Sequence, residues 1–316
     1  MRSQNHMFVG VMTGTSIDGL DIAAIEIDPN EKVEFIASET TAYPFDLRKN
    51  LLALSQADDV SISSYGELDA ALGKFIGNSV NSFLRKFGID PKAVQAIGSH
   101  GQTIRHQPPG KSGKSEQSFT LQIGDPNQIA YITKIITIAD FRRMDIAAGG
   151  QGAPLVPLFH QKILKKQESG TALVNIGGIA NMTYIEDTLL GYDIGPGNCL
   201  VDAWCQRKLD KPYDDKGHWA RTGKMNNQLL ERLLNEPYFH LEPPKSTGKE
   251  LFNLDWFKRN TTEHQLESMN SQDVQRTLLE LTALTISNSV KEPPRISNII
   301  VCGGGRSNEF LMERIS

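Results

Sequence analysis

Cysteine is scarce in this chain. Only Cys199, Cys205 and Cys302 occur in 316 residues, an odd count with no metal-ligand spacing. That excludes a disulfide framework and a zinc site, and the three read as reduced, buried thiols of a cytoplasmic protein. An excess of one charge is also lacking. The chain carries 33 Lys+Arg against 37 Asp+Glu, a net charge of −4, and no block of like charge. A basic nucleic-acid footprint is therefore absent, and DNA or RNA is excluded as partner. Long apolar runs are missing: TALVNIGGIANM is too short and too polar to span a bilayer, so no membrane partner is expected. The opening MRSQNHMFVG has no apolar stretch of signal-peptide length. Neither GxxxxGK[ST] nor GxSxG occurs, which excludes a P-loop NTPase and an α/β-hydrolase elbow, and the glycines have the wrong spacing for a dinucleotide fingerprint. Charged residues at 22% and aromatics at 7% exclude long disorder, collagen and coiled coil.

What is present is an alternation of strands and helices. FVGVMTG, LDIAAIEI and VEFIASETTAY are β-branched or alternating and are separated by short turns rich in Asp, Gly, Pro and Asn, the pattern of an antiparallel meander. A helix is predicted from Ser61 to about Phe87, where Leu68, Leu72, Phe75, Ile76 and Val80 recur at helical spacing. AVQAIGSH, FTLQIG and IITIADF follow as strands, with a helix opening at Asp125-Pro126. GGQGAP (149–154) reads as a glycine hinge, and APLVPLFHQKIL as a helix. The opening then recurs: TALVNIGG, NMTYIE and LLGYDIG form a second meander. Helices are expected at CLVDAWCQRKL, MNNQLLERLLNE and from Asp273 to about Val290, with a last strand SNIIVCGGG and a helix SNEFLMERI. The class is α/β, with two similar domains joined near residue 150.

Three glycine loops that end strands carry the candidate chemistry. Gly14-Thr15-Ser16-Ile17-Asp18-Gly19-Leu20-Asp21 could offer backbone N–H groups to a phosphate, with Asp18 and Asp21 holding a metal through water; an ordinary DG hairpin fits equally. Gly177-Gly178 sits in the second meander in the parallel position. Asp193 ends the apolar strand that follows. It could take a proton, or only cap the turn before Gly195. Gly303-Gly304-Gly305 would let a ring or phosphate approach the backbone. His100 and Gly101 read as a ligand-facing loop or as structural residues. In DFRRMD, Arg142 or Arg143 could clamp a carboxylate, or form a surface ion pair.

Taken together, GVMTGTSIDGLDIA, IGSHGQTIRHQP, LQIGDPNQIA, IADFRRMDIAAGGQGAPLVP, VNIGGIANMTYI, GYDIGPGNCLVDAW, PKSTGKELFN and VCGGGRSNEFLM resemble the anhydro-N-acetylmuramic acid kinases. The resemblance implies two actin-like (RNase H-like) domains, 1–150 and 151–316, around an ATP cleft, and a homodimer. It also implies the reaction: 1,6-anhydro-N-acetylmuramic acid, ATP and water give N-acetylmuramic acid 6-phosphate and ADP, in peptidoglycan recycling. By position, Gly14 to Asp21 looks like the ATP phosphate loop, with Asp18 supporting Mg²⁺ through water. Asp193 matches the catalytic base and Gly303–Gly305 the nucleotide-side loop. His100, Gly101 and Arg142 fall in segments that line the sugar site. The resemblance further implies helices and a sugar-contacting glutamate beyond Ser316, the last residue of this chain. The alternative reading is an actin-like or Hsp70-like ATP switch without kinase activity.

Overall fold

The computed structural model describes residues 5–14, 17–57, 59–108, 118–164, 170–186, 189–249, 251–261, 269–291 and 296–315. Two compact units, Met1–Gly152 and Ala153–Ser316, divide the chain.

In the first unit, β1 (His6–Thr13), β2 (Leu20–Ile27) and β3 (Val33–Thr41) form the antiparallel meander. Alternation drives it: Val9, Val11, Leu20, Ile22 and Ala24 face the core, while intervening positions face outward. Helices α1 (Phe45–Gln56) and α2 (Ile62–Lys86) follow, then β4 (Val94–Gln107), β5 (Phe119–Ile123), α3 (Pro126–Thr133), β6 (Thr137–Ile138) and α4 (Arg143–Ala147). The sheet order is β3-β2-β1-β4-β5, with β6 beside β4. β4 runs parallel to β1.

Helix α2 starts where Ser61 Oγ accepts from Ser64 N at 3.1 Å, and it buries Leu68, Leu72, Ile76, Val80 and Phe83. Two of its residues, Gly73 and Gly77, lie one turn apart where α3 crosses. A Cβ on Gly73 would stand 2.6 Å from the Asp125 carbonyl oxygen, and one on Gly77 3.1 Å from Ile132 Cβ.

The second unit repeats the plan. After α5 (Pro157–Ile163) come β7 (Thr171–Ile176), β8 (Ile179–Ile185) and β9 (Leu189–Pro196), again an antiparallel meander. Then follow α6 (Cys199–Leu209), α7 (His218–Thr222), α8 (Asn227–Leu234), α9 (Leu254–Arg259), α10 (Ser271–Lys291), β10 (Asn298–Cys302) and α11 (Glu309–Ile315). The order is β10-β7-β8-β9, with β10 parallel to β7. Each unit thus has its second and third strands on one side of the first and a later parallel strand on the other. The doubled meander of the sequence is present, and the class is α/β. The second core gathers Val174, Ile176, Met182, Ile194, Trp204, Phe252, Phe257 and Leu278. Buried Glu280 on α10 takes Arg276 at 3.0 Å and Arg314 at 2.9 Å, tying α11 to α10.

Several elements differ from the sequence expectation, which contains none of the short helices α4, α7 and α9. Helix α1 was not foreseen; it begins after Pro44 with no side-chain cap. The strand expected to end at His100 runs on to Gln107. The expected strand over 135–141 pairs only at Thr137–Ile138. Among the described residues no helix is long and apolar enough to cross a membrane.

The close α2–α3 crossing makes a paired prediction. Alanine favours a helix interior over glycine by about 1 kcal/mol. At Gly66 a Cβ meets nothing within 4 Å, so Gly66→Ala should raise the melting temperature. At Gly73 overpacking against backbone, about 1–3 kcal/mol, outweighs that gain, so Gly73→Ala should lower it in the same thermal melts.

Candidate active site

In the first unit, the loop after β1 is fixed by a buried chain of side chains. Tyr43 Oη donates to Thr13 Oγ1 at 2.7 Å, and Thr13 Oγ1 donates to Gln102 Oε1 at 2.6 Å. Gln102 Nε2 donates in turn to the Gly14 carbonyl at 3.2 Å. Burial pushes the Tyr43 phenol up, and the carboxylates of Asp18 and Asp21 add to the rise, so all three groups sit near one another. Ile17 N closes a turn onto the Gly14 carbonyl at 3.1 Å. Ile17 has φ of 53°, a left-handed conformation that is strained for a β-branched residue. It is held there by its fully buried side chain and by Arg48 Nε, which donates to its carbonyl at 2.8 Å.

The predicted phosphate-loop residues therefore differ in what they can offer. Ile17 and Leu20 are core side chains and present only backbone. Gly19 is glycine because a Cβ would meet Thr40 Cγ2 at 2.6 Å. Asp21 Oδ1 accepts from Thr40 Oγ1 at 2.5 Å. Asp18 is exposed. One exposed carboxylate beside an engaged one fits a hydrated Mg²⁺ held through water; among the described residues no three His, Cys, Asp or Glu side chains form a metal cluster. Thr15 and Ser16 lie outside the described residues.

His100 and Gly101 do not form a loop; they form a bulge within β4. Val11 pairs with Ser99 but Thr13 with Gln102, so β4 carries one extra residue there. Gly101 has φ of 70°, and a Cβ on it would lie 2.4 Å from the Ile123 carbonyl oxygen. Such a bulge re-aims a side chain. His100 Nδ1 meets the Gly101 carbonyl at 2.7 Å, which fixes the proton on Nδ1, and Nε2 accepts from Arg142 Nε at 2.8 Å. Burial and the Arg142 cation push the imidazole down to about 4, so it is neutral near pH 7. Arg142 Nη1 donates to the Gly152 carbonyl at 2.5 Å. Two nitrogens of the expected carboxylate clamp are thus committed to the protein. Arg143 makes an exposed ion pair with Asp140 at 3.6 Å. Asp145 Oδ2 accepts from Gly152 N at 2.6 Å and fixes the glycine segment.

In the second unit, parallel pairing of β7 and β10 places two glycine loops side by side. A Cβ on Gly303 would lie 2.5 Å from Asn175 Oδ1, and one on Gly305 2.3 Å from Ile176 Cγ2. These glycines are demanded by packing, whereas a Cβ on Gly304 meets nothing within 4 Å, leaving open backbone that suits a planar ring. The carbonyls of Gly177 and Gly178 are occupied: Asn198 N donates to the first at 2.8 Å, and Gly197 N and Cys199 N to the second at 3.0 Å each. The start of α6 is thereby fastened to this loop.

Asn175 pairs with Asn181, and Asn181 with Asp193, so the three lie in one row across the sheet. Asp193 is buried. Its Oδ2 accepts from Thr247 N at 3.0 Å, and its carbonyl accepts from Tyr238 Oη at 2.6 Å. Its own N donates to the Lys245 carbonyl at 2.9 Å. A desolvated carboxylate clamped on both backbone sides is equipped to accept a proton at a fixed point.

Sequence reasoning did not single out Asp202, Thr247 or Lys249. Burial pushes the Asp202 carboxyl up to about 7, with Lys249 opposing and Asp214 adding to it. A native pKa above the unfolded value means that this group favours folding below pH 4 and that the contribution is lost as pH rises through 7. Asp202→Asn should therefore raise the melting temperature at pH 8 and leave it unchanged near pH 4, as differential scanning calorimetry at the two pH values will report.

Comparison with known proteins places the chain among its relatives. The family model described as anhydro-N-acetylmuramic acid kinase matches residues 6–316. A Coxiella burnetii protein named anhydro-N-acetylmuramic acid kinase is 47% identical over 313 residues, covering 98% of this chain and 81% of its own length. A Vibrio vulnificus protein of the same name is 47% identical over 317 residues, covering 99% and 83%. The glycine loops, the β4 bulge and the Asp193 strand all lie inside the matched span, and the chain belongs to the anhydro-N-acetylmuramic acid kinase family, a family of sugar kinases.

Proposed function

We propose that this chain uses ATP and water to convert 1,6-anhydro-N-acetylmuramic acid to N-acetylmuramic acid 6-phosphate and ADP, in the recycling of peptidoglycan fragments. The observation that carries the reading is Asp193: a buried carboxylate fixed by the Thr247 amide, in a chain of this family. Asp193 takes a proton from water as the water oxygen bonds to the anomeric carbon. The bond from that carbon to O6 breaks. O6 forms its bond to the γ-phosphorus, and the bond from that phosphorus to the ADP oxygen breaks. A carboxylate suffices as base because the anomeric centre is already electron-poor, as in inverting glycoside hydrolysis. Phosphoryl transfer asks mainly for positioning and charge neutralisation.

In this reading Gly14 to Asp21, Gly177, Gly178 and Gly303 to Gly305 serve the nucleotide, and Asp18 holds Mg²⁺ through water. Mg²⁺ supplies neutralisation of phosphate charge. His100, Gly101 and Arg142 serve the sugar, with His100 acting as a neutral acceptor that orients Arg142. The enzyme works in the cytoplasm as a homodimer.

The direct test is ADP release, measured by a coupled assay with and without the anhydro sugar. Sugar-dependent release is expected; release indifferent to sugar would mark an ATP switch instead. Loss of a general base costs about 10²–10⁴-fold in rate. Asp193→Asn should lose turnover by that order while keeping both ligand affinities in isothermal calorimetry. Asp18→Asn should weaken ATP binding and leave sugar binding nearly intact, and equal losses for both ligands would contradict its assignment.

A further inference from the structure

The segment Lys245-Ser246-Thr247-Gly248-Lys249 has been given no contact with a ligand, yet it touches both halves of the second unit's site. At one end, the Thr247 amide holds the Asp193 carboxylate at 3.0 Å. Thr247 is 9% exposed, and among the described residues its Oγ1 has no hydrogen-bond partner. A buried hydroxyl without a partner is unfavourable, and a bound ligand would relieve it.

At the other end, Lys249 lies across the Gly177-Gly178 loop. A Cβ on Gly178 would stand 2.9 Å from Lys249 Cε and 3.6 Å from Nζ, so the absent side chain is what admits the lysine stem. The ammonium acts on its surroundings from there. It opposes the burial-driven rise of the Asp202 carboxyl and of the Cys199 thiol. A strongly hydrated cation is thus held over a glycine loop that ends a strand, the combination that recognises phosphate as a point charge.

The segment's base is rigid. Lys245 is buried, and its Nζ donates to the carbonyls of Tyr238 at 3.3 Å and Phe239 at 3.2 Å. Beyond Lys249, the Asn253 side chain donates to the Lys249 carbonyl at 2.9 Å and caps α9. The distance from Thr247 to Lys249 is therefore set by the fold.

We infer that residues 245–249 form a further ligand-contacting loop, in which Lys249 takes the phosphates of the nucleotide and the Thr247 hydroxyl positions the water that Asp193 deprotonates. This rests on the kinase reading above. One short segment then sets the spacing between the phosphoryl donor and the base. Thr247 is a positioning residue, because its effect is exerted on the water and on Asp193.

The test uses the full chain and two substitutions, with binding of ATP and of the anhydro sugar measured separately by calorimetry. Lys249→Met should weaken ATP binding about 10- to 100-fold, the range of a charge-assisted contact, and leave sugar binding within twofold. Lys249→Arg, which keeps the charge, should recover most of the loss. Thr247→Val keeps the amide and removes the hydroxyl. It should lower kcat about tenfold or more with KM for ATP unchanged, and Thr247→Ser should restore it. Melting temperatures and circular dichroism establish that each variant is folded. ATP affinity unchanged in Lys249→Met, or equal losses for ATP and sugar, would overturn the Lys249 assignment. An unchanged kcat in Thr247→Val would overturn the Thr247 assignment. A parent protein that fails to bind ATP would instead overturn the kinase reading itself.

Discussion

Parallel pairing of the first strand of each meander with a strand far along the chain is the constraint on which the rest depends. β1 lies beside β4, and β7 beside β10. Parallel neighbours end at the same edge of a sheet, so the segments that leave them must emerge together. In the first unit this sets the Gly14 loop beside Gln102, whose side chain then holds the loop's first carbonyl. In the second it sets the Gly177 and Gly303 loops in contact. Neither grouping arises from local sequence. Both follow from long-range pairing, and a slip of one residue would turn Asn175, Asn181 and Asp193 to the opposite face.

The residues to which chemistry is assigned include several buried polar groups. Thr13, Gln102, His100, Asp193, Lys245 and Thr247 are all at or below 9% exposure. Burying such groups is unfavourable unless each finds a partner. Most find one in backbone: Gln102 on the Gly14 carbonyl, Asp193 on the Thr247 amide, Lys245 on two carbonyls. Side chains bonded to backbone cannot relax without moving a strand or a turn, so the rigidity of the sheets passes to the reacting groups. Ile17 shows the same economy in another form, with its unfavourable φ tolerated because its side chain has no exposed alternative.

Much of the fold was legible in the sequence. The two meanders, α2 with its Ser61 cap, α3 with its Asp125-Pro126 start, and α6 all carry their signals locally, as periodicity and capping chemistry. α1 carried apolar periodicity but no cap at Pro44, so nothing marked its start. β4 looked finished at His100 because Gly101 reads as a terminator; the glycine serves a bulge within a continuing strand, and only its neighbours β1 and β5 reveal that. The site was legible in part. Asp193 stands out as an acid in an apolar strand, although β9 runs on to Pro196 and does not end at it. Arg142 read as a possible clamp, since its engagement by His100 and Gly152 depends on contacts that no spacing encodes. Thr247 and Lys249 fall in PKSTGKELFN, one of the segments that carry the family resemblance, but no role was legible for either, because their contacts are with β9 and the Gly178 turn, both far away in the chain.

The crossing of Lys249 over Gly178 ties together two positions 71 apart in number. A side chain at 178 would meet the far end of a flexible chain, so it would move the ammonium rather than break the turn. The glycine therefore sets where one positive charge sits, and a substitution at 178 would change the electrostatics of the loop without touching a charged residue.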